Sequence, residues 1–143
     1  MNRTFTIIAL TSLWLSLLAS EATSSVVVVV AADSKIDELD LKTTQKIFLG
    51  KVAETQDGQD VVPVYYDQSS LTYREFAERL LSKTPGQLRA YWGKRIFSGR
   101  GRRPLTIDSV AELKAHLQEN SRAISFLDEA DIDETVRVLL VLE

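Results

Sequence analysis

What this sequence lacks narrows it sharply. None of its 143 residues is cysteine, which excludes disulfides, thiolate nucleophiles and cysteine metal sites. Lipoprotein processing is excluded with them, since it needs a cysteine. Only one histidine is present, His116, on or near the solvated side of a charged helical stretch, without the surroundings that general-base or nucleophilic chemistry requires. No glycine-rich phosphate loop and no serine in a nucleophile elbow occurs. Neither sign of charge dominates: 17 basic against 20 acidic residues give a net charge of −3, which argues against a general binder of nucleic acid or of anionic membranes. The remaining expectation is a non-enzymatic chain that uses no cofactor and no metal.

The first residues read as a targeting segment. Arg3 supplies a short positive region, Phe5–Ala19 is apolar with interspersed Thr and Ser, and Ser20-Glu21-Ala22 offers small residues around a cleavage point. This pattern predicts a cleaved secretory signal peptide over residues 1–22, because the apolar run is short for spanning a bilayer. Residues 23–143 then form one domain, long enough to bury a core without disulfide staples. Removing Arg3 and Glu21 together leaves the net charge at −3. The lack of cysteine suits an oxidising compartment.

Val26–Val30 is an unbroken valine run, the signature of a strand covered on both faces, as in a parallel sheet. Asp40 opens a helix that should carry Leu41, Ile47 and Phe48 inward, with Gly50 just past its end where a left-handed residue is cheapest as glycine. Asp57-Gly58 marks a turn before a second strand at Val61–Tyr66. Its Pro63 belongs at an edge or near the strand start. Three helices follow. The first runs from about Thr72 to Ser82 with Phe76, Leu80 and Leu81 inward. A second opens on Thr84-Pro85-Gly86-Gln87, a cap, a proline at the first helical position and a capping-box Gln, and presents Leu88, Tyr91, Trp92, Ile96 and Phe97 as one stripe. The third begins at Asp108 or Ser109 and buries Val110, Leu113 and Leu117. Two candidate strands, Ala123–Leu127 and Val136–Leu142, close the chain. Strands alternating with helices predict an α/β layered domain with a mostly parallel sheet flanked by helices.

Two clusters stand out. Asp67-Gln68-Ser69-Ser70 joins the second strand to the next helix. Hydroxyls at a helix start either cap it or help its free N–H groups hold an anion. On the second reading Ser69, Ser70 and Thr72 present hydroxyls and Arg74 supplies a bidentate charge; on the first, Thr72 and Glu75 have capping-box spacing. The other cluster is basic: Lys94, Arg95, Arg100, Arg102 and Arg103, interleaved with Gly99 and Gly101. It is either an anion-steering patch or a solvated loop after a helix C-terminus, which favours cations anyway. The acidic tract Asp128–Glu134 lacks the glycine and spacing of a calcium loop and reads as a solvated connection.

The ordered set Ile47-Phe48-Leu49-Gly50-Lys51, Asp57-Gly58, Val62-Pro63-Val64, Ser69–Phe76, Tyr91-Trp92 and Ile96-Phe97-Ser98-Gly99 resembles the phosphate-binding receptors of ABC transporters and the small exported proteins similar to them. The resemblance covers about residues 26–127. It implies one lobe of the type 2 periplasmic-binding-protein fold, a periplasmic location, and phosphate or a similar oxyanion held by Ser69, Ser70, Thr72 and Arg74. In the receptors the junction reads Ser-Gly-Thr; here it is Ser70-Leu71-Thr72, with a side chain where backbone would approach the anion. A later Pro-Gly-Ala-Ile-Gly-Tyr pattern is replaced by Ser121-Arg122-Ala123-Ile124-Ser125-Phe126. These departures and the single lobe motivate a second expectation of another class, a cell-envelope interaction module that kept the fold and lost the ligand. Its partner, a protein or a polyanion, would meet Arg95 and Arg100–Arg103. No nucleic acid is implied, and no membrane attachment after cleavage.

Overall fold

In the computed structural model the valine run forms β1 (Val26–Ala31), all six residues buried. The model describes residues 25–143, so the expected signal peptide lies outside the described residues. In chain order there follow α1 (Leu41–Phe48), β2 (Val62–Tyr66), α2 (Leu71–Leu81), α3 (Pro85–Phe97), β3 (Leu105–Ile107), α4 (Val110–Glu119), β4 (Ala123–Asp128) and β5 (Val136–Leu142). The strands make one sheet in the order β3-β2-β4-β1-β5.

The sheet is α/β as expected, but mixed. β2 pairs in parallel with β3 and with β4, whereas β1 runs antiparallel to both β4 and β5. Four strands therefore point one way and β1 alone points the other. An unbroken apolar run reports coverage of both faces, and β1 is covered on both; that signal does not carry strand direction. One face packs Val26, Val28 and Val30 with α1, α2 and α3; the other packs Val27 and Val29 with Leu113 and Leu117 of α4.

Pro63 lies in an interior strand, yet it costs no ladder bond. β3 joins β2 only from Val64, which pairs with Leu105. Val62 donates its N–H toward β4, to the Arg122 carbonyl, so the alternation of the strand turns position 63 toward the side that β3 has not yet reached. β3, three residues long, was not among the expected strands.

Caps set the helix boundaries as the sequence suggests. Asp40 accepts from the Thr43 N–H, Ser109 from that of Glu112, and Thr84 with Gln87 forms a reciprocal capping box. The core side of α2 and α3 builds an aromatic cluster in which the Phe76 and Phe126 rings stack at 3.6 Å, and Phe48 meets Phe76 edge-on at 4.9 Å. Three expected core residues lie outside it. Leu41, first in α1, is 50% exposed; Ile96 is exposed and Phe97 is 96% exposed. The buried stripe of α3 ends at Trp92.

Candidate functional site

β2 and β3 end side by side, and the Asp67 N–H donates to the Ile107 carbonyl. Beyond these strand ends lies a cleft of about 470 Å3 lined by Asp67, Gln68, Ser69, Arg103, Thr106 and Asp108. Clefts at the carboxyl ends of strands are where α/β sheets place ligands.

Within this junction each hydroxyl has a defined task. The Ser70 hydroxyl accepts from the Tyr73 N–H at 3.0 Å and donates to the Asp67 carbonyl at 2.6 Å, making Ser70, not Thr72, the cap of α2. Ser69 donates its hydroxyl (2.6 Å) and its N–H (3.0 Å) to the Asp67 carboxylate. These bonds, the hydroxyl's first, hold the Asp67 carboxyl below its usual pKa, so it remains charged at neutral pH. Thr72 is half-buried, and Arg74 is exposed on the first turn. Of the four residues singled out from the sequence, the cleft is lined by Ser69; Ser70 caps α2, and Thr72 and Arg74 lie in its first turns. The first two helical N–H groups, of Leu71 and Thr72, have no backbone or side-chain acceptor among the described residues. Leu71 is 60% exposed over the same helix start.

The cleft is electrostatically mixed. Asp67, Asp108 and Arg103 all line it. Burial first, then the charges of Asp67, Asp131 and Asp108, raise the nearby Tyr66 hydroxyl; Tyr73 is raised by burial but pulled back by Arg89 and Arg103. Sequence reasoning missed Arg103, Thr106 and Asp108 as neighbours of the junction. The alternation Leu105-Thr106-Ile107 after Pro104 was the available signal for the strand that brings them there, though three residues make it faint.

The residues that depart from the receptor pattern have structural tasks. The fully buried Ser125 donates its hydroxyl to the Val64 carbonyl at 2.7 Å, tying β4 to β2 one residue past the register pair Pro63 and Ile124. Arg122 pairs with Asp60 at 3.2 Å on the surface, a contact worth little in water. His116 is half-buried on α4 with its ring nitrogen 3.5 Å from the Asn120 amide. No group of three or more metal-ligating side chains converges among the described residues.

Solved structures of similar fold exist. An ABC-type phosphate transport receptor from Vibrio cholerae superimposes with a TM-score of 0.59 at 15% identity, over 81% of this chain and 45% of its own. A Clostridium perfringens protein, described as a phosphate ABC transporter substrate-binding protein and solved with bound phosphate, gives 0.63 at 17% identity over 81% and 44%. PstS from Borrelia burgdorferi gives 0.58 at 14% over 81% and 46%. In fold the chain resembles phosphate receptors. It spans under half the length of each of these three. No protein-family model matches the sequence, and no curated protein does. Among the described residues no helix is long and apolar enough to cross a membrane.

Proposed function

We propose that this chain is an exported, non-enzymatic, single-lobe binding protein of the periplasm that takes phosphate or a similar oxyanion at the start of α2. The observation that carries this reading is the pair of N–H groups, on Leu71 and Thr72, left without acceptors beside hydroxyls at the carboxyl end of β2. Such helix starts favour anions through their free donors and their dipole. The Thr72 hydroxyl and the Arg74 guanidinium would add donors, while Ser70 positions the turn and Ser69 contributes once it releases Asp67. The likeness in fold to receptors, one of them solved with phosphate, supports the choice of ligand. One lobe offers half a clamp, so binding should be weak. Calorimetric titration with inorganic phosphate and with sulfate tests the proposal. A saturable heat in the millimolar range supports it, and no heat with no thermal shift at millimolar phosphate overturns it. Cell fractionation tests export: recovery with periplasmic contents, shortened by the first 22 residues, is the expected outcome.

A second reading rests on a different observation. Phe97 is 96% exposed, next to Ile96, within the basic tract Lys94–Arg103. Arg95 is used internally, on the Gly50 and Arg100 carbonyls at 2.9 Å each, but Arg100, Arg102 and Arg103 have no acidic partner among the described residues. An exposed aromatic beside free cations is the composition of a contact surface, in keeping with an envelope interaction module. Pull-down from envelope extracts should lose its partner when Arg100, Arg102 and Arg103 become Ala; equal recovery by both forms counts against the patch.

A further inference from the structure

A second cleft, of about 410 Å3, opens at the opposite end of β2 and β3, where the strands begin. Its floor is apolar: Ile47, Val61 and the nearly buried Trp92, with Val62 and Leu105 exposed along one wall. Lys51, Arg102 and Arg103 also line it, and no acidic side chain does. Neither Lys51 nor Arg102 has a carboxylate partner among the described residues.

The end of α1 beside this cleft could itself have drawn those cations, because its last carbonyls are unpaired within the helix. The N–H groups of Leu49, Gly50 and Lys51 take those of Gln45, Ile47 and Lys46, and side chains from β2 and α3 take the carbonyl of Phe48 and the two after it. The hydroxyls of Tyr65 and Tyr91 donate to the Phe48 and Leu49 carbonyls, each at 2.6 Å, and Arg95 donates to that of Gly50 at 2.9 Å. Trp92 donates in turn to the Tyr65 hydroxyl at 3.2 Å. The wall is therefore preorganised, and the positive charge of Lys51 and Arg102 remains available to something else. A cleft with an apolar floor and unneutralised cations along it is complementary to an apolar body bearing one anionic group.

We propose that this cleft binds a small amphipathic carboxylate, an apolar body of about eight carbons lying on Trp92, Val62 and Leu105 with its carboxylate at Lys51 and Arg102. The inference does not rest on an oxyanion at α2; the two sites lie at opposite strand ends and share only Arg103. Inorganic phosphate, having no apolar body, is not the ligand of this one.

Trp92 lines the cleft and reports on it directly. With Trp14→Phe in the background it is the only tryptophan. Titration with sodium octanoate should change Trp92 fluorescence saturably, and hexanoate should bind about tenfold more weakly for its two missing CH2 groups. Octanol, with the same chain and no charge, should bind at least tenfold more weakly. The exposed double variant Lys51→Ala/Arg102→Ala should weaken octanoate about tenfold while its circular dichroism spectrum and its response to phosphate stay as in the parent. A Val62→Asp variant, which places a carboxylate on the wall, should abolish binding. No saturable change with millimolar octanoate overturns the proposal. Equal binding of octanol, or of octanoate to the double variant, overturns it as well, since the cleft would then be an apolar groove without anion recognition.

Discussion

The two ends of the β2–β3 pair make opposite kinds of cleft from the same strands. At the carboxyl ends, polar side chains crowd a helix start, and Asp67 and Asp108 line the cleft together with Arg103. At the amino ends, the lining is mostly apolar and its charges are all positive. The difference is one of preorganisation. Around the amino-end cleft the hydroxyls of Tyr65 and Tyr91 and the guanidinium of Arg95 are fixed on the last carbonyl of α1 and the two that follow it. Across the carboxyl-end cleft, Ser69 is held by a neighbouring carboxylate that an arriving anion must displace or tolerate. The free N–H groups at the start of α2 direct attention to the carboxyl end; the distribution of unneutralised charge directs it to the other.

Substitutions separate the two ends. The largest effect is expected from Trp92→Ala, which removes a nearly buried ring from the floor of the amino-end cleft and costs about 4 kcal/mol in chemical denaturation. Phosphate titration of the protein that remains folded should be unchanged. Gly50→Ala comes next. Gly50 has φ +64°, and an added Cβ would lie 2.8 Å from the Trp92 ring, so a loss of about 2 kcal/mol is expected, read as a lower midpoint in urea. At the carboxyl end, Ser70→Ala should cost about 1 kcal/mol by uncapping α2. Ser70→Asp keeps a capping oxygen and should restore that stability, yet its charge should abolish any phosphate heat. Leu71→Gly should lower stability by about 0.5–1 kcal/mol and raise phosphate affinity by opening the helix start; unchanged affinity would show that Leu71 does not block the site.

The smallest effect belongs to a contact remote from both clefts. Lys114 bonds the Asp133 carboxylate at 2.7 Å, and this bond first, then the Thr135 hydroxyl and N–H, lowers its pKa to about 2. A carboxyl lowered in the folded state adds stability above its ordinary value near 3.8 and loses it as pH falls toward 2. Acid unfolding of Asp133→Asn should therefore differ from the parent above pH 4 and converge with it near pH 2. Because Asp133 is exposed, the difference should be small.

Local chemistry made much of the fold legible. A valine run can only be a covered strand, and the order Thr84-Pro85-Gly86-Gln87 fixes a helix start whatever surrounds it. Gly50 was readable for the same reason, since its left-handed backbone is a local requirement. Direction was not legible: β1 runs against its neighbours because β4 and β5 return on either side of it from about a hundred residues later. Nor was the exposure of Ile96 and Phe97 legible, because periodicity continues to the last turn of α3 while the surface it packs on does not. At the junction the sequence marked where β2 ends and α2 begins. It offered Thr72 as the cap, whereas the strand's exit delivers Ser70 two residues earlier. The amino-end cleft was beyond reach, for it joins residues 47–63 to residues 92–105, and nothing local to either stretch announces the other.

The antiparallel placement of β1 has a consequence for how the chain must acquire its structure. Val26 pairs with Asp128 on one side and with Leu142 on the other, so both edges of the valine strand wait for the last fifth of the molecule. Contacts of such separation slow folding, because loop closure must precede any gain from pairing. Until residues 123–142 arrive, five consecutive uncharged β-branched residues have open edges, the composition that seeds intermolecular strands. The segment that anchors the finished sheet is thus the chain's chief aggregation hazard while it is incomplete. Slowed synthesis or loss of β5 should reveal this as insoluble protein before any loss of binding could be measured.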